Sequence, residues 1–212
     1  MHSLIDAWLP FLIKLINLES MKAQIIVCHP NTGSFNHAIA SRVEKVLSSN
    51  GYQIIFHDLY KENFNPVLSY EEIIDKSFDP MVEEYIRDLN ESDILIIIHP
   101  NWWGKPPALL SGWIDRILRL QVAYTFPKGG EGGKPVGLLQ LKRVYIFNTA
   151  NTSIEREREV FGDPLNLIWK NCVFDFCGVP DVVRMVFTVV VDSTLEQRNA
   201  WLDEVEQILI KS

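Results

Sequence analysis

From residue 21 onward, apolar runs of strand length alternate with amphipathic patterns of helix length, and this alternation constrains the fold more than any other feature. Five runs have the length and composition of strands: 23–29, 52–59, 92–100, 143–150 and 182–190. A helical pattern follows each run, and the last one covers 194–210. Alternating strands and helices predict a parallel sheet with helices on both faces, because each crossover helix must pack back onto the sheet.

The run at 92–100 is the most apolar, so we expect it at the centre of the sheet, buried on both faces. Five such strands fit the flavodoxin-like order 2-1-3-4-5. The predicted fold class is therefore α/β, a flavodoxin-like doubly wound five-stranded parallel sheet. In this prediction residues 21–212 form a single domain, and 122–141 is irregular with a mobile glycine-rich stretch at 129–134.

The first twenty residues are apolar, but two charged residues and a proline interrupt them, and they lack the basic start of a signal peptide. This pattern favours neither a cleaved leader nor a membrane span. Four large apolar residues have helical spacing, namely Leu4, Trp8, Leu12 and Leu15. We therefore expect 1–20 to be a helical extension, either a simple appendage, which we favour, or a docking element.

Composition argues against nucleic acid as the main partner. The 212 residues carry 20 Lys and Arg against 27 Asp and Glu, a net charge of −7, and contain no basic run. Cys28, Cys172 and Cys177 are an odd number of cysteines, which predicts no disulfide framework and a reducing, cytoplasmic location. We expect them to be buried as small apolar residues rather than to bind zinc.

In such a sheet, ligands bind beyond the carboxyl ends of the strands, where strands 1 and 3 diverge. The loop after strand 1 reads HPNTGSFN (29–36) and opens the first helix. Free amides and the helix dipole make this turn an anion site, and Thr32, Ser34 and Asn36 could add side-chain hydrogen bonds. We predict that it binds a phosphate, with Ser34 or Asn36 also capping the helix. His29 either contacts the ligand or is a satisfied histidine at the strand end.

The loop after strand 3 holds two adjacent tryptophans where a bound planar ring would lie. Its residues are Pro100, Asn101, Trp102, Trp103 and Gly104. Indole faces stack well on flat ring systems, and nearby amides can bond to ring carbonyls. We expect Trp103 to face the ring and Trp102 to pack inward, whereas Trp113 belongs to the apolar stripe of the next helix and to the core.

A third small, polar loop, NTANTS (148–153), follows strand 4 and contributes Thr149, Ala150 and Asn151. Three such loops at one sheet edge would form a cleft with a phosphate end and a ring end. The sequence therefore predicts a mononucleotide site, with a flavin as the favoured ligand.

At these positions the sequence resembles the flavodoxin-fold NAD(P)H:quinone oxidoreductases, which include the DT-diaphorases and shorter bacterial proteins. The resemblance covers roughly residues 21 to 190. The matching residues are His29-Pro30, Ser34-Phe35-Asn36, Asp58-Leu59-Tyr60, Phe64 to Leu68, Pro100, Trp102-Trp103, Pro107-Ala108, Gly112 to Arg116 and Phe176-Cys177-Gly178.

The resemblance implies one flavin per chain, FMN or FAD, held by the loops after strands 1, 3 and 4. It implies hydride transfer from NAD(P)H and two-electron reduction of a quinone or another small electron acceptor, within a homodimer. The implied flavin-binding residues are His29, Thr32, Ser34, Phe35, Asn36, Pro100, Asn101, Trp102, Trp103, Gly104, Thr149, Ala150 and Asn151.

The sequence departs from the family pattern at two places. Gly104-Lys105 stands where the family usually has Phe-Gly, so we expect a smaller, more polar substrate pocket formed by Trp103 and Lys105, with Lys105 meeting an anionic group. The loop after strand 4 lacks the family's tyrosine and histidine, so we assign no catalytic residue.

Two other functions fit the same sequence. One is a flavin-containing regulatory subunit, similar to the ancillary proteins of potassium-efflux systems, with 1–20 as its docking element. The other is a one-electron carrier of the flavodoxin type. The paired tryptophans disfavour the carrier, because they indicate a substrate pocket, and long acidic loops are not evident.

Overall fold

The computed structural model describes residues 20–74, 79–127 and 133–211. Its strands are β1 (Lys22–Val27), β2 (Gln53–Asp58), β3 (Ile94–Pro100), β4 (Tyr124–Thr125), β5 (Val136–Gly137), β6 (Arg143–Thr149) and β7 (Val182–Phe187). The five longer strands form one parallel sheet in the order β2-β1-β3-β6-β7. The predicted order 2-1-3-4-5 and the flavodoxin-like fold class are therefore confirmed.

Helices connect the strands and end the chain. They are α1 (Phe35–Ser49), α2 (Tyr70–Ile74), α3 (Pro80–Asn90), α4 (Ala108–Ile117), α5 (Ile154–Glu159), α6 (Pro164–Asn166), which continues as a π-helix over Leu167–Phe174, and α7 (Leu195–Ile210). Each of α1, α3, α5 and α7 begins after a side-chain oxygen that accepts an amide of the first turn. These capping residues, Ser34, Asp79, Ser153 and Thr194, fix where four of the helices start.

The central strand β3 is buried at every position, as its composition predicts. Leu95 and Ile97 belong to the core on one face, which α3, α4 and the π-helix cover. Ile96 and Ile98 belong to the core on the other face, which α1 and α7 cover. Trp113 is fully buried in the first of these cores, so its predicted place in the core is confirmed.

The segment predicted to be irregular, 122–141, contains a short antiparallel hairpin in which Thr125 pairs with Val136. Two-residue strands leave no alternating pattern to read in a sequence. Gly137 lies so close to the Cys177 carbonyl group that a side chain there would collide with it, which explains a glycine in this strand. Most of the glycine-rich stretch at 129–134 lies outside the described residues.

The expected burial of the cysteines holds for Cys28 and Cys177 and is wrong for Cys172, which is exposed on the π-helix. All three are free thiols. Burial raises the pKa of the Cys28 thiol to about 12 and that of Cys177 to about 11. Both buried thiols therefore stay protonated and unreactive near neutral pH.

The helix predicted for 1–20 lies outside the described residues apart from Ser20. Within 20–74, 79–127 and 133–211, no helix has both the length and the apolar content needed to cross a bilayer.

Replacement of Gly112 tests how tightly α4 packs. An added Cβ would fall well inside van der Waals distance of the Pro66 backbone and ring. We expect Gly112→Ala to lower the free energy of unfolding by about 1–3 kcal/mol, measured by urea denaturation. Ser41→Ala, at an exposed position of α1, is the control and should change little. Equal stability of the two variants would contradict this close approach.

Candidate functional site

Two adjoining cavities open at the carboxyl edge of the sheet. The first, here called the loop cleft, has a volume of about 460 Å³. Its lining includes ten of the predicted site residues: His29, Ser34, Phe35, Asn36, Pro100, Asn101, Trp102, Thr149, Ala150 and Asn151. The structure thus brings the three predicted loops together around one space.

The second cavity, here called the Trp103 pocket, has a volume of about 490 Å³. It is lined by Asn101, Trp103, Gly104, Thr152, Glu157, Phe161 and Pro164. Asn101 and Thr152 line both cavities, so a ligand in one can contact a ligand in the other. Thr32 and Lys105, two further predicted site residues, are exposed and line neither cavity.

The first loop forms one end of the loop cleft and presents free backbone amides there. Asn31 organises the turn, because its side chain accepts from Gly33 N at 2.9 Å and its carbonyl accepts from Ser34 N at 3.0 Å. The next two amides, of Phe35 and Asn36, have no acceptor among the described residues. Free amides at the positive end of a fifteen-residue helix favour a phosphate group.

Side chains around this loop are already engaged with the protein. Asn36 exchanges two hydrogen bonds with Thr149, its Nδ2 donating to Oγ1 at 3.0 Å and its Oδ1 accepting from Oγ1 at 3.3 Å. This buried pair ties the first loop to the third. His37 lies between Ser34 and Asp58, 3.0 Å from each, and so orients the Ser34 hydroxyl. Asn36 therefore offers the cleft its backbone amide rather than its side chain.

The two tryptophans face different cavities. A tight turn is closed by backbone hydrogen bonds of 3.2 Å in both directions between Trp102 and Lys105. Trp103 has a φ of 59° and is 96% exposed, whereas Trp102 is 38% exposed, with its ring centroid 6.3 Å from that of His29. Neither indole packs into the core, so the expected inward packing of Trp102 is wrong. Trp102 lines the loop cleft, and Trp103 lines the adjoining pocket.

Gly104 also has a positive φ, 71°, and a Cβ there would lie 2.7 Å from the Pro164 ring. A phenylalanine in place of Gly104 would therefore fit only if the 160–164 loop moved. The glycine lets the two walls of the Trp103 pocket approach each other.

A buried histidine holds this edge of the sheet together. His99 is fully buried at the end of β3, and its Nδ1 donates to the Pro100 carbonyl at 2.8 Å. Its Nε2 accepts from Asn148 Nδ2 at 2.7 Å and from Trp169 Nε1 at 3.0 Å. Burial lowers the pKa of His99 to about 3, so the ring is neutral, as two donors to one nitrogen require. This network makes His99 a structural residue.

The same network reaches the wall of the Trp103 pocket. Asn148 Oδ1 accepts from Arg184 Nε at 2.6 Å, and Arg184 bonds both carboxylate oxygens of Asp163, at 2.8 and 2.9 Å. Asp163 has a φ of 47° and lies between Phe161 and Pro164, which both line the pocket. One guanidinium nitrogen, Nη1, donates to both oxygens, and this charge-assisted pair fixes the loop that carries these two side chains.

Sequence reasoning missed several lining residues. Thr152, Val190, Val191 and Arg198 complete the loop cleft, and Glu157, Phe161 and Pro164 complete the Trp103 pocket. Arg198 Nε donates to Ser193 Oγ at 2.7 Å and a terminal nitrogen donates to the Val190 carbonyl at 3.2 Å, which holds its guanidinium at the cleft. The loop after β7 ends at the same edge as the other three, so the strand-end rule could have identified it.

The described ranges contain no group of three or more His, Cys, Asp and Glu side chains arranged to bind a metal ion.

The sheet order and the ligand-sized cleft at the strand ends define a protein of the flavodoxin class. A sequence model of the family described as flavodoxin-like fold (Flavodoxin_2) matches residues 21–209. The chain belongs to this family.

Known proteins with similar sequences are redox enzymes by name. A relative from Haemophilus influenzae, named an uncharacterized NAD(P)H oxidoreductase, is 35% identical over 172 residues, covering 79% of this chain and 83% of the relative. Rat NAD(P)H dehydrogenase (quinone) 1 is 25% identical, covering 88% of this chain and 77% of that protein. A crystal structure from Streptococcus mutans UA159 is 31% identical with a TM-score of 0.78, covering 89% of this chain and 98% of that one. The resemblance seen in the sequence is confirmed.

The neutral state of His99 makes stability depend on pH. Because its pKa falls from 6.5 in the unfolded chain to about 3 in the folded one, the unfolded state binds the proton first as pH falls. Between pH 7 and pH 5 the protein should lose about 2 kcal/mol from this group, measured by urea unfolding followed by circular dichroism. His99→Gln keeps an acceptor but cannot titrate, so its loss should be smaller by that amount. If the wild-type protein and His99→Gln lose the same unfolding free energy between pH 7 and pH 5, the pH dependence does not come from His99.

Proposed function

We propose that this protein is a flavin-dependent NAD(P)H oxidoreductase that reduces quinones or similar small acceptors by two electrons. The observation that carries the proposal is the junction of two cavities, one with an anion-binding end and one with aromatic walls. The names of the similar proteins support the same reaction.

The loop cleft fits a flavin, either FMN or FAD, with one bound per chain. The free amides of Phe35 and Asn36 and the guanidinium of Arg198 would hold the phosphate end. Asn101, Trp102 and Ala150 line the path toward the ring end. When bound, a flavin accepts a hydride from NAD(P)H and passes two electrons to the acceptor.

The protein's own residues would orient the reactants and exclude water. The backbone amides of Trp103, Asn151 and Thr152 have no acceptor among the described residues, so they can donate to polar atoms of a bound ring. Trp103 and Phe161 supply flat apolar surface for a second ring in the adjoining pocket. Asn101 and Thr152, which line both cavities, lie where the two reactants would meet.

The regulatory-subunit alternative ranks second. It depends on residues 1–20 as a docking element, and those residues lie outside the described ranges apart from Ser20. A subunit that only binds flavin has no need for a second cavity with aromatic walls, so the Trp103 pocket favours the enzyme.

We also propose that residues 21–212 form a single domain. We propose a cytoplasmic location as well, and the three free thiols support this location.

We also propose that the protein is a homodimer. Several large apolar side chains are exposed near α2 and the start of the β4 hairpin: Val67, Tyr70, Ile73, Ile74 and Leu120. Two of them, Ile73 and Leu120, line a groove of about 500 Å³ whose apolar lining also includes Leu68, Ile114 and Leu118. A cluster of this kind is typical of an association surface.

Flavin uptake tests the proposed function. The purified protein should show the visible absorption of a flavin, or acquire it on addition of FMN or FAD, and anaerobic NADH or NADPH should bleach it. Arg198→Met should raise the flavin Kd about tenfold or more, since a charge-assisted interaction with the phosphate is lost. Arg158→Met, at an exposed position of α5, is the matched control and should leave the Kd unchanged. A colourless protein that takes up neither flavin would refute the proposal.

A charge placed in the exposed apolar cluster tests the dimer. The wild-type protein should have twice the chain mass of 24.4 kDa in light scattering after size exclusion. Ile73→Asp, at a side chain 55% exposed, should yield the monomer mass, because an unpaired carboxylate would be buried in the interface. Leu195→Asp, 76% exposed at the start of α7, should leave the dimer intact. A monomeric wild-type protein would rule out the proposed assembly.

A further inference from the structure

Glu157 is an acidic residue for which the proposed reaction gives no role. It lies on α5, is only 4% exposed, and lines the Trp103 pocket. Its carboxylate makes no hydrogen bond or ion pair within the described ranges. Its neighbours Arg156 and Arg158 are exposed, and the Arg156 guanidinium lies 5.2 Å from the centroid of the Phe161 ring instead.

The fold does not explain this carboxylate. The backbone of Glu157 donates to the Ser153 carbonyl at 3.0 Å and accepts from Asp163 N at 2.8 Å, and any residue could make these two bonds. A carboxylate that is mostly buried and has no protein partner loses part of its hydration and gains no hydrogen bond in return, so it does not stabilise the fold. An apolar side chain would suit this position better if packing were its only role.

Glu157 gives the Trp103 pocket a negative character, because the other described lining residues are uncharged. Among the residues that the structure describes, no lysine, arginine or histidine lines it, and the polar side chains besides Glu157 are Asn101 and Thr152. Asn101 Oδ1 already accepts from Gly104 N at 2.9 Å. The aromatic surfaces of Trp103 and Phe161 fit a flat ring, and the carboxylate fits a hydrogen-bond donor or a positive charge on that ring.

This reverses the substrate preference expected from the sequence. Lys105 was expected to meet an anionic group in the pocket, but it is exposed and lies outside the lining. The charged side chain that the described part of the chain does place in the lining, Glu157, is acidic.

We propose that Glu157 makes the Trp103 pocket selective for flat acceptors that carry an N–H donor or a cationic nitrogen, such as amino-substituted quinones. The carboxylate accepts a hydrogen bond from that nitrogen while the ring lies against Trp103 and Phe161. The inference rests on the proposed function, because it assumes that the acceptor of the flavin reaction binds in this pocket.

Equilibrium binding to the oxidised, flavin-loaded protein tests the selectivity without turnover. The probes are 2-amino-1,4-naphthoquinone and 2-methyl-1,4-naphthoquinone, which have similar sizes and differ in the N–H donor. Calorimetry should give a Kd about tenfold lower for the amino compound, as expected for a hydrogen bond to a charged group. Glu157→Met should remove this preference by weakening amino-quinone binding, with little change for the methyl compound.

Two further variants separate recognition from folding. Glu159→Met, on the exposed side of α5, should keep the wild-type preference. Glu157→Gln keeps the shape and an acceptor oxygen but not the charge, so its preference should be intermediate, and it replaces Glu157→Met in the test if that variant does not fold.

The possible failures differ. Equal affinity of the wild-type protein for both quinones, or an unchanged preference in the Glu157 variants, overturns the inference and leaves flavin uptake and NAD(P)H oxidation intact. A wild-type protein that takes up no flavin overturns the proposed function, and the inference falls with it.

Discussion

The carboxyl edge of the sheet, where both cavities open, depends on one buried, uncharged imidazole. His99 uses both ring nitrogens at the end of the central strand, where it joins β3 to Asn148 on β6 and to Trp169 on the π-helix. Asn148 also accepts a hydrogen bond from Arg184, and the Arg184 guanidinium holds Asp163 beside the walls of the Trp103 pocket. Loops at a sheet edge are usually mobile, but here they are tied to the fully buried central strand. Ligands can therefore meet a surface that is already organised.

The two cavities at this edge have unlike walls, which suits two different ligands. The loop cleft offers free amides and an arginine, so it favours the anionic end of a nucleotide. The Trp103 pocket offers two aromatic surfaces and a carboxylate, so it favours a flat ring with a donor. Because Asn101 and Thr152 line both cavities, the positive groups of the loop cleft and the carboxylate of the Trp103 pocket belong to adjoining spaces. In the proposed reaction, such a contrast would help to orient each reactant before any chemistry occurs.

Local patterns in the sequence were enough to predict the sheet order, the central place of 92–100 and the three converging loops, since a parallel sheet brings the ends of its strands to one edge. They failed where the answer depends on a distant contact. The close approach of the Pro164 ring leaves no room for a side chain at position 104, so this position requires a glycine. The Asn36 side chain is hydrogen-bonded to Thr149, which lies 113 positions away in the chain. Glu157 and Arg198 were missed for a related reason, because each looks like an ordinary charged helix residue until the tertiary structure turns it toward a cavity.

The unequal burial of the three cysteines has a practical consequence. Cys28 and Cys177 are enclosed and Cys172 is exposed, so a maleimide dye would attach to the native chain at a single position. Cys172 borders a shallow depression that shares Ile114, Leu118 and Tyr124 with the groove of the proposed dimer surface, and it lies outside the lining of the loop cleft and the Trp103 pocket. A fluorescent or spin label at this position would therefore report on association at the proposed dimer surface, and no cysteine has to be removed or introduced first.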